Sequence, residues 1–285
     1  MIRLRYIPLL AAAFIAAPAI AQDASGTAPL PSPEEITNRD TLTVALGGAM
    51  YPDYEGSNDY RFIPAVGFRG QYRGFSFTTR GLYLYVNVVP NSTAKVTFEA
   101  GPILGVRLNR TKKRLKDDVV DLLPVKKTAF EAGGFVGVTV HGVTNPYGSL
   151  SGRIDVLHDF ASAHKSTIVS PNIDFSTPLS RTTYFSASVG MDFVSNRFAD
   201  YYFSINPAES LITGLPVFDA SGGLKNWKAG VLVNQSITGD LLHGLGMFGT
   251  VNYSRLVGDF KRSPIVSQRG SANQWLLAAG LTYTW

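Results

Sequence analysis

His164 and Ser166 are the residues whose types and spacing most directly suggest chemistry. A β-strand sends alternate side chains to the same face, so a His-x-Ser spacing within a strand would place both side chains on one side. A histidine that accepts the proton of a serine hydroxyl turns that hydroxyl into a nucleophile toward acyl groups. One hypothesis is therefore a hydrolase in which His164 is the base and Ser166 the nucleophile.

Little else in the sequence favours catalysis. The His-x-Ser spacing is similar to that of a lipid A deacylase family, but that family uses shorter barrels and its flanking residues are absent here. His158 and Asp159 are adjacent, hence on opposite faces of a strand, and Gly148-Ser149-Leu150-Ser151-Gly152 has leucine where the G-x-S-x-G motif has serine. The sequence holds no metal-ligand cluster, P-loop or dinucleotide fingerprint. It predicts a non-enzymatic protein with no catalytic, cofactor-binding or metal-binding residues.

From Thr41 onward, apolar and polar residues alternate in stretch after stretch, which is typical of strands with one apolar face. Between residues 96 and 108 the apolar set is Val96, Phe98, Ala100, Pro102, Leu104, Val106 and Leu108, and the alternate set is Thr97, Glu99, Gly101, Ile103, Gly105 and Arg107. The alternation recurs at 128–141, 149–156, 166–177, 183–193 and 225–237. Strands of roughly 11–14 residues match a tilted membrane span rather than the strands of a soluble sandwich.

Two further features favour apolar side chains that face lipid and polar side chains that face a barrel interior. The polar faces carry charges beside small residues, namely Glu99, Arg107, Glu131, Arg153, Asp155, Asp174, Asp192 and Lys228. Aromatic residues gather near the predicted strand ends, as in an interfacial girdle, at Tyr72, Tyr147, Tyr201, Tyr202, Tyr253, Tyr283 and Trp285. Backbone groups in hydrocarbon must all be paired, which requires closure. We predict an all-β fold, a closed antiparallel up-and-down transmembrane β-barrel.

The alternation places eleven strands, at 41–50, 60–72, 75–88, 94–108, 127–141, 147–158, 166–178, 182–194, 224–238, 245–257 and 273–285. A single-chain bacterial barrel needs an even number. The mismatch lies before residue 90, where the alternation changes phase at Arg80-Gly81 through either a glycine bulge or an additional turn. We predict about 12 strands, with 10 as the alternative. The long connections 109–126, 196–223 and 259–272 then lie on the outer side, and 196–223 is expected to fold over the mouth.

Composition limits the classes of protein that fit. The 285 residues include 26 Lys and Arg against 21 Asp and Glu and no cysteine, which excludes disulfide scaffolds, zinc ribbons and thiol catalysis. Residues 1–21 are typical of a secretory signal peptide, with two arginines before an apolar stretch and Ala19-Ile20-Ala21 at the cleavage site. Residues 22–40 are expected to form an exposed N-terminal segment and 41–285 the barrel. The dispersed charges of an exported chain argue against a nucleic-acid partner.

The chain ends in a strand with an aromatic terminus. One face of this strand carries Trp275, Leu277, Ala279, Leu281, Tyr283 and Trp285. The ending, with Gly280, Tyr283 and Trp285, resembles the C-terminal assembly signal of bacterial outer-membrane barrels, although that signal usually ends in Phe. The resemblance implies that the barrel-assembly machinery binds the C-terminal strand, and membrane lipid is expected around the barrel.

Three strings resemble the MipA/OmpV family of outer-membrane proteins. They are Tyr51-Pro52-Asp53-Tyr54-Glu55-Gly56-Ser57 with Tyr60, Asp200-Tyr201-Tyr202-Phe203 with Gly214-Leu215, and Tyr253-Ser254-Arg255-Leu256-Val257-Gly258-Asp259 with Ser263-Pro264-Ile265-Val266. The resemblance implies a bacterial outer-membrane barrel without catalytic residues. The founding member is described as a scaffold that links a lytic transglycosylase to a murein synthase. Other members are described as adhesins or as proteins that affect antibiotic susceptibility.

Three functions compete on this evidence: a non-enzymatic scaffold for peptidoglycan enzymes, a passive channel for small solutes or antibiotics, and the lipid A-directed hydrolase. The channel hypothesis rests on the charges predicted for the lumen, which are Arg61, Arg69, Arg73, Arg107 and Arg153 with Glu99, Glu131, Asp155, Asp174 and Asp192. The same charges could form a salt-bridge lattice that fills a barrel much narrower than a porin. We favour the lattice and the scaffold.

Overall fold

The computed structural model describes residues 32–285, and the predicted signal peptide, residues 1–21, lies outside this range. The strands are β1 (Thr41–Pro52), β2 (Tyr60–Tyr72), β3 (Phe75–Arg80), β4 (Tyr83–Asn87), β5 (Val96–Arg107), β6 (Ala129–His141), β7 (Ser149–Asp159), β8 (Thr167–Pro178), β9 (Thr183–Val194), β10 (Gly223–Ser236), β11 (Gly244–Leu256) and β12 (Asn273–Thr284). The helices are α1 (Pro33–Asn38), α2 (Asn196–Phe203), α3 (Pro207–Thr213), α4 (Gly258–Arg262) and α5 (Pro264–Ser267), with a 3-10 turn at Val120–Leu122. None of the described helices is long and apolar enough to cross a bilayer.

The strands form one closed antiparallel barrel in which each pairs with its neighbours in sequence. The first and last strands close it, because β1 pairs with β12 in a register that sets Gly47 opposite Gly280. A Cβ atom on Gly280 would meet the carbonyl oxygen of Leu46, and one on Gly47 would meet that of Ala279. The backbones at this seam therefore approach too closely for any residue larger than glycine. The predicted closed barrel is confirmed.

Side chains alternate between the exterior and the interior of the barrel as predicted. Large apolar side chains cover the outside: Phe62 is 78% exposed, Phe98 67% and Val136 62%. Ionic side chains lie inside, where Glu131 is 0% and Asp155 is 4% exposed. Apolar residues on the outside of a closed barrel are stable against acyl chains, whereas in water they would form a very large exposed apolar surface.

The predicted number of twelve strands is correct, and the structure identifies the missing one. The stretch 75–88, predicted as a single strand, is two short strands, β3 and β4, joined by a turn. Gly81 in that turn has a φ of 60°, which is in the left-handed region that glycine adopts without strain. The change of phase at Arg80-Gly81 therefore marks an additional turn rather than a bulge.

The two ends of the barrel differ in their connections. One end carries the connections 53–59, 81–82, 108–128, 160–166, 195–222 and 257–272, and the other carries 73–74, 88–95, 142–148, 179–182 and 237–243. Outer-membrane barrels have short periplasmic turns and longer extracellular loops. We call the first end the outer end and the second the short-turn end. The long connections predicted on the outer side all lie at the outer end.

The hydrophobic core lies inside the mouth at the outer end, where long connections pack against one another. Its fully buried members include Tyr54, Val120, Phe198, Tyr202, Phe203, Phe260, Ile265 and Val266. We call the segments 108–128, 195–222 and 257–272 the mouth plug. As expected, 196–223 folds over the mouth. The girdle prediction was wrong for Tyr201 and Tyr202, because α2 carries both into the plug, where Tyr202 is 0% exposed and the Tyr201 hydroxyl accepts the Lys127 backbone N–H.

The part of the predicted N-terminal segment that the structure describes contains α1. The helix begins with a capping box: the Glu35 backbone N–H donates to Ser32 Oγ at 3.2 Å, and the Ser32 N–H donates to the Glu35 carboxylate at 2.7 Å. Two of the orphan donors at the start of a helix are thereby paired. Strand β1 begins at Thr41, where the alternation begins in the sequence.

Candidate functional site

A buried polar network lies beneath the mouth plug, and Glu131 of β6 is at its centre. The Arg107 guanidinium from β5 donates to both carboxylate oxygens of Glu131, at 2.7 Å and 3.2 Å. The Tyr83 hydroxyl from β4 donates to the second oxygen at 2.8 Å. The side chain of Glu131 is 0% exposed, so its charge is stable there because Arg107 neutralises it and the donors satisfy its oxygens.

The structure brings His164 and Ser166 together, as their spacing predicts, and adds Glu131 to the pair. Ser166 Oγ lies 2.6 Å from Nδ1 of His164, and Nε2 of His164 lies 3.0 Å from Oε1 of Glu131. Carboxylate, imidazole and hydroxyl thus follow one another as they do in serine hydrolases. The ring nitrogens are in the opposite order from that template, in which Nε2 faces the serine.

The surroundings of this chain of hydrogen bonds do not favour catalysis. The His164 side chain is 0% exposed, and its ring packs against Phe198 at 5.1 Å and Tyr202 at 5.7 Å between centroids. Ser166 is 4% exposed, so its hydroxyl offers little surface to a substrate carbonyl. The arrangement instead joins the 160–166 connection, the barrel wall and the plug.

The connection that carries His164 is held by a second carboxylate, Asp159 at the end of β7. Its oxygens accept the backbone N–H groups of Ala161 at 3.0 Å, His164 at 2.8 Å and Lys165 at 3.0 Å. Asp159 is 1% exposed. The adjacent pair His158 and Asp159 does point to opposite faces, as predicted, since His158 is exposed and hydrogen-bonds Thr167 at 3.0 Å.

Most of the predicted lumen charges are paired with one another. Arg153 bonds Asp155 at 2.6 Å and Asp174 at 3.1 Å, and Arg80 lies 3.3 Å from the same Asp174. On the next strands of the barrel, β9 and β10, Lys228 bonds Asp192 at 2.7 Å. Arg153–Asp174 and Lys228–Asp192 join neighbouring strands, and Arg80–Asp174 joins β3 to β8 across the interior, which together form a salt-bridge lattice.

The remaining predicted lumen residues take other partners. Arg61 pairs with Asp53 beside the mouth, Glu99 accepts a hydrogen bond from Thr139, and the Arg69 guanidinium lies 5.6 Å from the centre of the Tyr184 ring. Arg73 is not a lumen residue, contrary to the prediction. It lies in the 73–74 turn at the short-turn end, where its exposed side chain stacks on Tyr72 at 5.3 Å.

Polar contacts lock the segments of the plug to one another. The Tyr54 hydroxyl donates to the Ile265 carbonyl at 3.0 Å, and the Arg110 guanidinium donates to the Tyr202 carbonyl at 2.8 Å. Arg269 bonds Asp117 at 2.9 Å. These contacts connect the three segments of the plug with one another and with the 53–59 connection, so the plug is one packed body inside the mouth rather than a set of independent loops.

Two cationic side chains in the plug have pKa values below their ordinary values. Burial lowers the pKa of Arg110 to about 10 and that of Lys126 to about 8, and the neighbouring charge of Arg110 lowers the pKa of Lys126 further. The Lys126 ammonium lies 4.9 Å from the centre of the Tyr201 ring, which favours the charged form only weakly.

Glu131 is the member of the network that the sequence reasoning missed. Alternation predicts Glu131 as a lumen charge, but not as a partner of His164, which is 33 residues further along the chain. The signal that could have found it is strand register: Glu131 pairs with Asp159 across β6 and β7, which sets it at the height where the 160–166 connection begins. Alternation predicts faces but carries no information on register.

Comparisons with known proteins give one family and several distant structures. The model of the family described as MltA-interacting protein MipA matches residues 44–285. No curated protein matches the sequence.

Similar solved structures include the NanC porin, with 8% identity, a TM-score of 0.44 and coverage of 85% of this chain and 98% of that one. The CymD monoaromatic hydrocarbon channel has 9% identity, a TM-score of 0.39 and coverage of 86% and 88%. The Pseudomonas putida toluene transporter TodX has 9% identity, a TM-score of 0.34 and the same coverage. At such low identities and TM-scores, the likeness carries no functional information.

Proposed function

This chain belongs to the MltA-interacting protein MipA family, and from that membership we propose that it is a non-enzymatic scaffold for enzymes of peptidoglycan synthesis and remodelling. Its barrel lies in the bacterial outer membrane, with an apolar exterior and a closed ring of twelve strands. The partners proposed are a lytic transglycosylase, of the kind for which the family is named, and a murein synthase. We further propose that the barrel-assembly machinery binds the C-terminal strand, β12.

The observation that most supports a scaffold over a pore is the packed mouth plug. Phe198, Tyr202, Phe203 and Phe260 are each 0–1% exposed at the outer end of the lumen. A channel needs a continuous water-filled path, and well-packed aromatic side chains leave no such path. Beneath the plug, Arg80 of β3 bonds Asp174 of β8 across the interior, and Arg153 and Lys228 bond carboxylates of adjacent strands, which favours a rigid wall.

The surface proposed to bind the enzymes is the short-turn end, because peptidoglycan lies in the periplasm and short turns face that side. This end presents the connections 88–95, 142–148, 179–182 and 237–243. This end is expected to be rigid, because its turns connect strands that salt bridges join on the lumen side. A rigid surface loses little entropy on binding, which favours its use for docking.

Site-specific crosslinking in intact envelopes tests the scaffold. A photo-crosslinkable amino acid at Thr93, exposed in the 88–95 connection, is compared with one at Leu211, 87% exposed in α3 at the outer end. We expect peptidoglycan enzymes to be captured from Thr93 and not from Leu211. Capture of no such enzyme from Thr93, or equal capture from both positions, contradicts the proposal.

A passive channel is the second candidate, and one observation favours it. Below the plug, the side chains of Arg80 and Lys228 are 42% and 38% exposed, so the lower lumen is hydrated. A channel would form if the plug moved out of the mouth. Conductance across a planar bilayer decides between the two functions.

A further inference from the structure

A pocket of about 370 Å³ lies at the rim of the outer end and borders the buried network, because Ser166 is one of its lining residues. It is formed where β7, β8 and the start of α2 meet, and its polar lining includes His158, Lys165, Thr167, Ser195, Asn196 and Arg197. The described lining contains basic and neutral polar groups and no carboxylate. A pocket of this composition attracts anions.

The two permanent cations of the pocket are available for a ligand. In the part of the chain that the structure describes, neither Lys165 nor Arg197 makes an ion pair, and both are exposed. The neighbouring carboxylate of Asp159 accepts three backbone N–H groups of its own connection instead. Lys165 is held with a φ of 47°, in the left-handed region that a residue with a Cβ adopts at a cost.

Donor groups complete the pocket. Within residues 32–285, Ser195 Oγ is buried and has no hydrogen-bond partner, although Ser195 is the N-cap residue of α2 and its hydroxyl could have capped the helix. The eight-residue helix also starts at the pocket, where the Phe198 N–H donates to the Ser195 carbonyl and the earlier N–H groups of Asn196 and Arg197 precede the first intrahelical bond. An oxyanion beside Ser195 and Asn196 would accept these donors while Lys165 and Arg197 neutralise its charge.

The position of the pocket identifies the class of ligand. His158 and Thr167 are the last outward-facing residues of β7 and the first of β8, so they lie near the outer edge of the strands. Just beside them, Phe130 and Phe160 pack together at 6.5 Å on the outside of the barrel, and both are exposed. An apolar wall that gives way to basic groups matches the boundary between acyl chains and headgroups.

We infer that this pocket binds a phosphate monoester carried by the glycolipid of the outer leaflet. Acyl chains would lie along the wall below Phe130 and Phe160, and the phosphate would sit between Lys165 and Arg197. The site adds a specific lipid contact to the barrel, and it does not depend on the scaffold proposal.

Binding of lipid A to the full mature barrel in detergent tests the inference. The probes are diphosphoryl lipid A and lipid A from which both phosphates have been removed, and binding is measured by native mass spectrometry over a range of lipid concentrations. The test variant is the double substitution Lys165→Gln and Arg197→Gln. The matched control is Lys112→Gln and Lys113→Gln, which removes two exposed cations from the same end of the barrel.

We expect the native barrel and the control variant to bind diphosphoryl lipid A at least about tenfold more tightly than the test variant does. We also expect both to bind it at least about tenfold more tightly than they bind the dephosphorylated lipid. Folding of each variant is checked by heat-modifiable migration on a gel. A second variant, Ser195→Ala, keeps both cations and is expected to lose less affinity for diphosphoryl lipid A than the test variant. Competition with inorganic phosphate identifies the source. If low millimolar phosphate displaces the lipid, the pocket takes free phosphate, whereas resistance to displacement supports the lipid. Equal binding by the test and control variants overturns the inference.

Discussion

The imidazole Nε2 of His164 lies 3.0 Å from the Glu131 carboxylate, so the connection that follows β7 is fastened to the inner wall of β6. The same ring packs against Phe198 and Tyr202 of α2. One side chain thereby joins the wall of the barrel to the plug in its mouth. We regard this contact as the main anchor of the plug.

The first prediction concerns the charge at the centre of the anchor. Glu131→Gln leaves the Arg107 guanidinium, 19% exposed, without its counterion and weakens the bond to His164. We expect the free energy of unfolding to fall by about 3 kcal/mol, since an uncompensated buried charge is costly. Urea unfolding of the barrel in detergent measures this, and limited proteolysis within 195–222 should become faster.

The matched control for this experiment is Glu99→Gln in the neighbouring strand. Glu99 also faces the lumen, but it is partly exposed and accepts a hydrogen bond from Thr139. Its substitution is expected to cost less than about 1 kcal/mol. Equal loss of stability in the two variants would show that the network around Glu131 is not a special anchor.

The second prediction addresses the hydrolase hypothesis. Because Ser166 is only 4% exposed and its hydroxyl is bonded to His164, Ser166→Ala should leave the acyl chains of lipid A unchanged in cells that produce the protein. Mass spectrometry of lipid A, with cells that lack the protein as the reference, gives the readout. A difference in the number of acyl chains between cells with the native protein and cells with the variant would support the hypothesis that His164 and Ser166 are catalytic.

The third prediction tests the closing seam. A methyl group on Gly280 would meet the Leu46 carbonyl oxygen, whereas one on Gly249 in the adjacent strand has no neighbour within 4 Å among the described atoms. Gly280→Ala should therefore destabilise the barrel by about 2 kcal/mol or more, and Gly249→Ala by much less. The folded fraction on a heat-modifiability gel compares them. Similar stability of both variants would mean that β1 and β12 are not in the register described.

The fourth prediction is a pH dependence in the plug. Burial lowers the pKa of Lys126 from 10.5 to about 8, so between these values the unfolded chain binds a proton that the folded chain does not. Stability from this group is therefore reduced below pH 8 and rises with pH up to about 10.5. Titration of ¹³C-methylated lysines by NMR should show one signal with a pKa near 8 that Lys126→Arg removes. If the Lys126 signal has the same pKa in the native barrel and in urea, burial in the plug is disproved.

The barrel could be predicted from the sequence because the pattern that specifies it, the alternation of apolar and polar residues, lies within each strand. Alternation at positions such as Phe98 and Glu99 assigns each side chain to lipid or lumen without knowledge of the partner strand. Strand number followed from a parity rule, although β3 and β4 are short, which hid the turn at Gly81 inside one apparent strand. Closure followed from the need to pair every backbone group in hydrocarbon.

The plug and its anchor could not be predicted in the same way. Connections have no period, so nothing in the sequence around Tyr202 distinguishes a buried plug residue from an interfacial one. The bond between His164 and Glu131 depends on the register of β6 and β7 and on the course of a connection between them. Such contacts follow from the completed fold rather than from local pattern.

Planar-bilayer recording tests the central claim, that the mouth is sealed and the protein is not a pore. The native barrel is compared with a variant in which a short Gly-Ser linker replaces residues 196–222 and so removes α2 and α3. Conductance by this variant serves as the control that the barrel inserts into the bilayer. We predict no discrete conductance steps from the native barrel and stable steps from the variant. Stable, discrete steps from the native barrel would contradict the account.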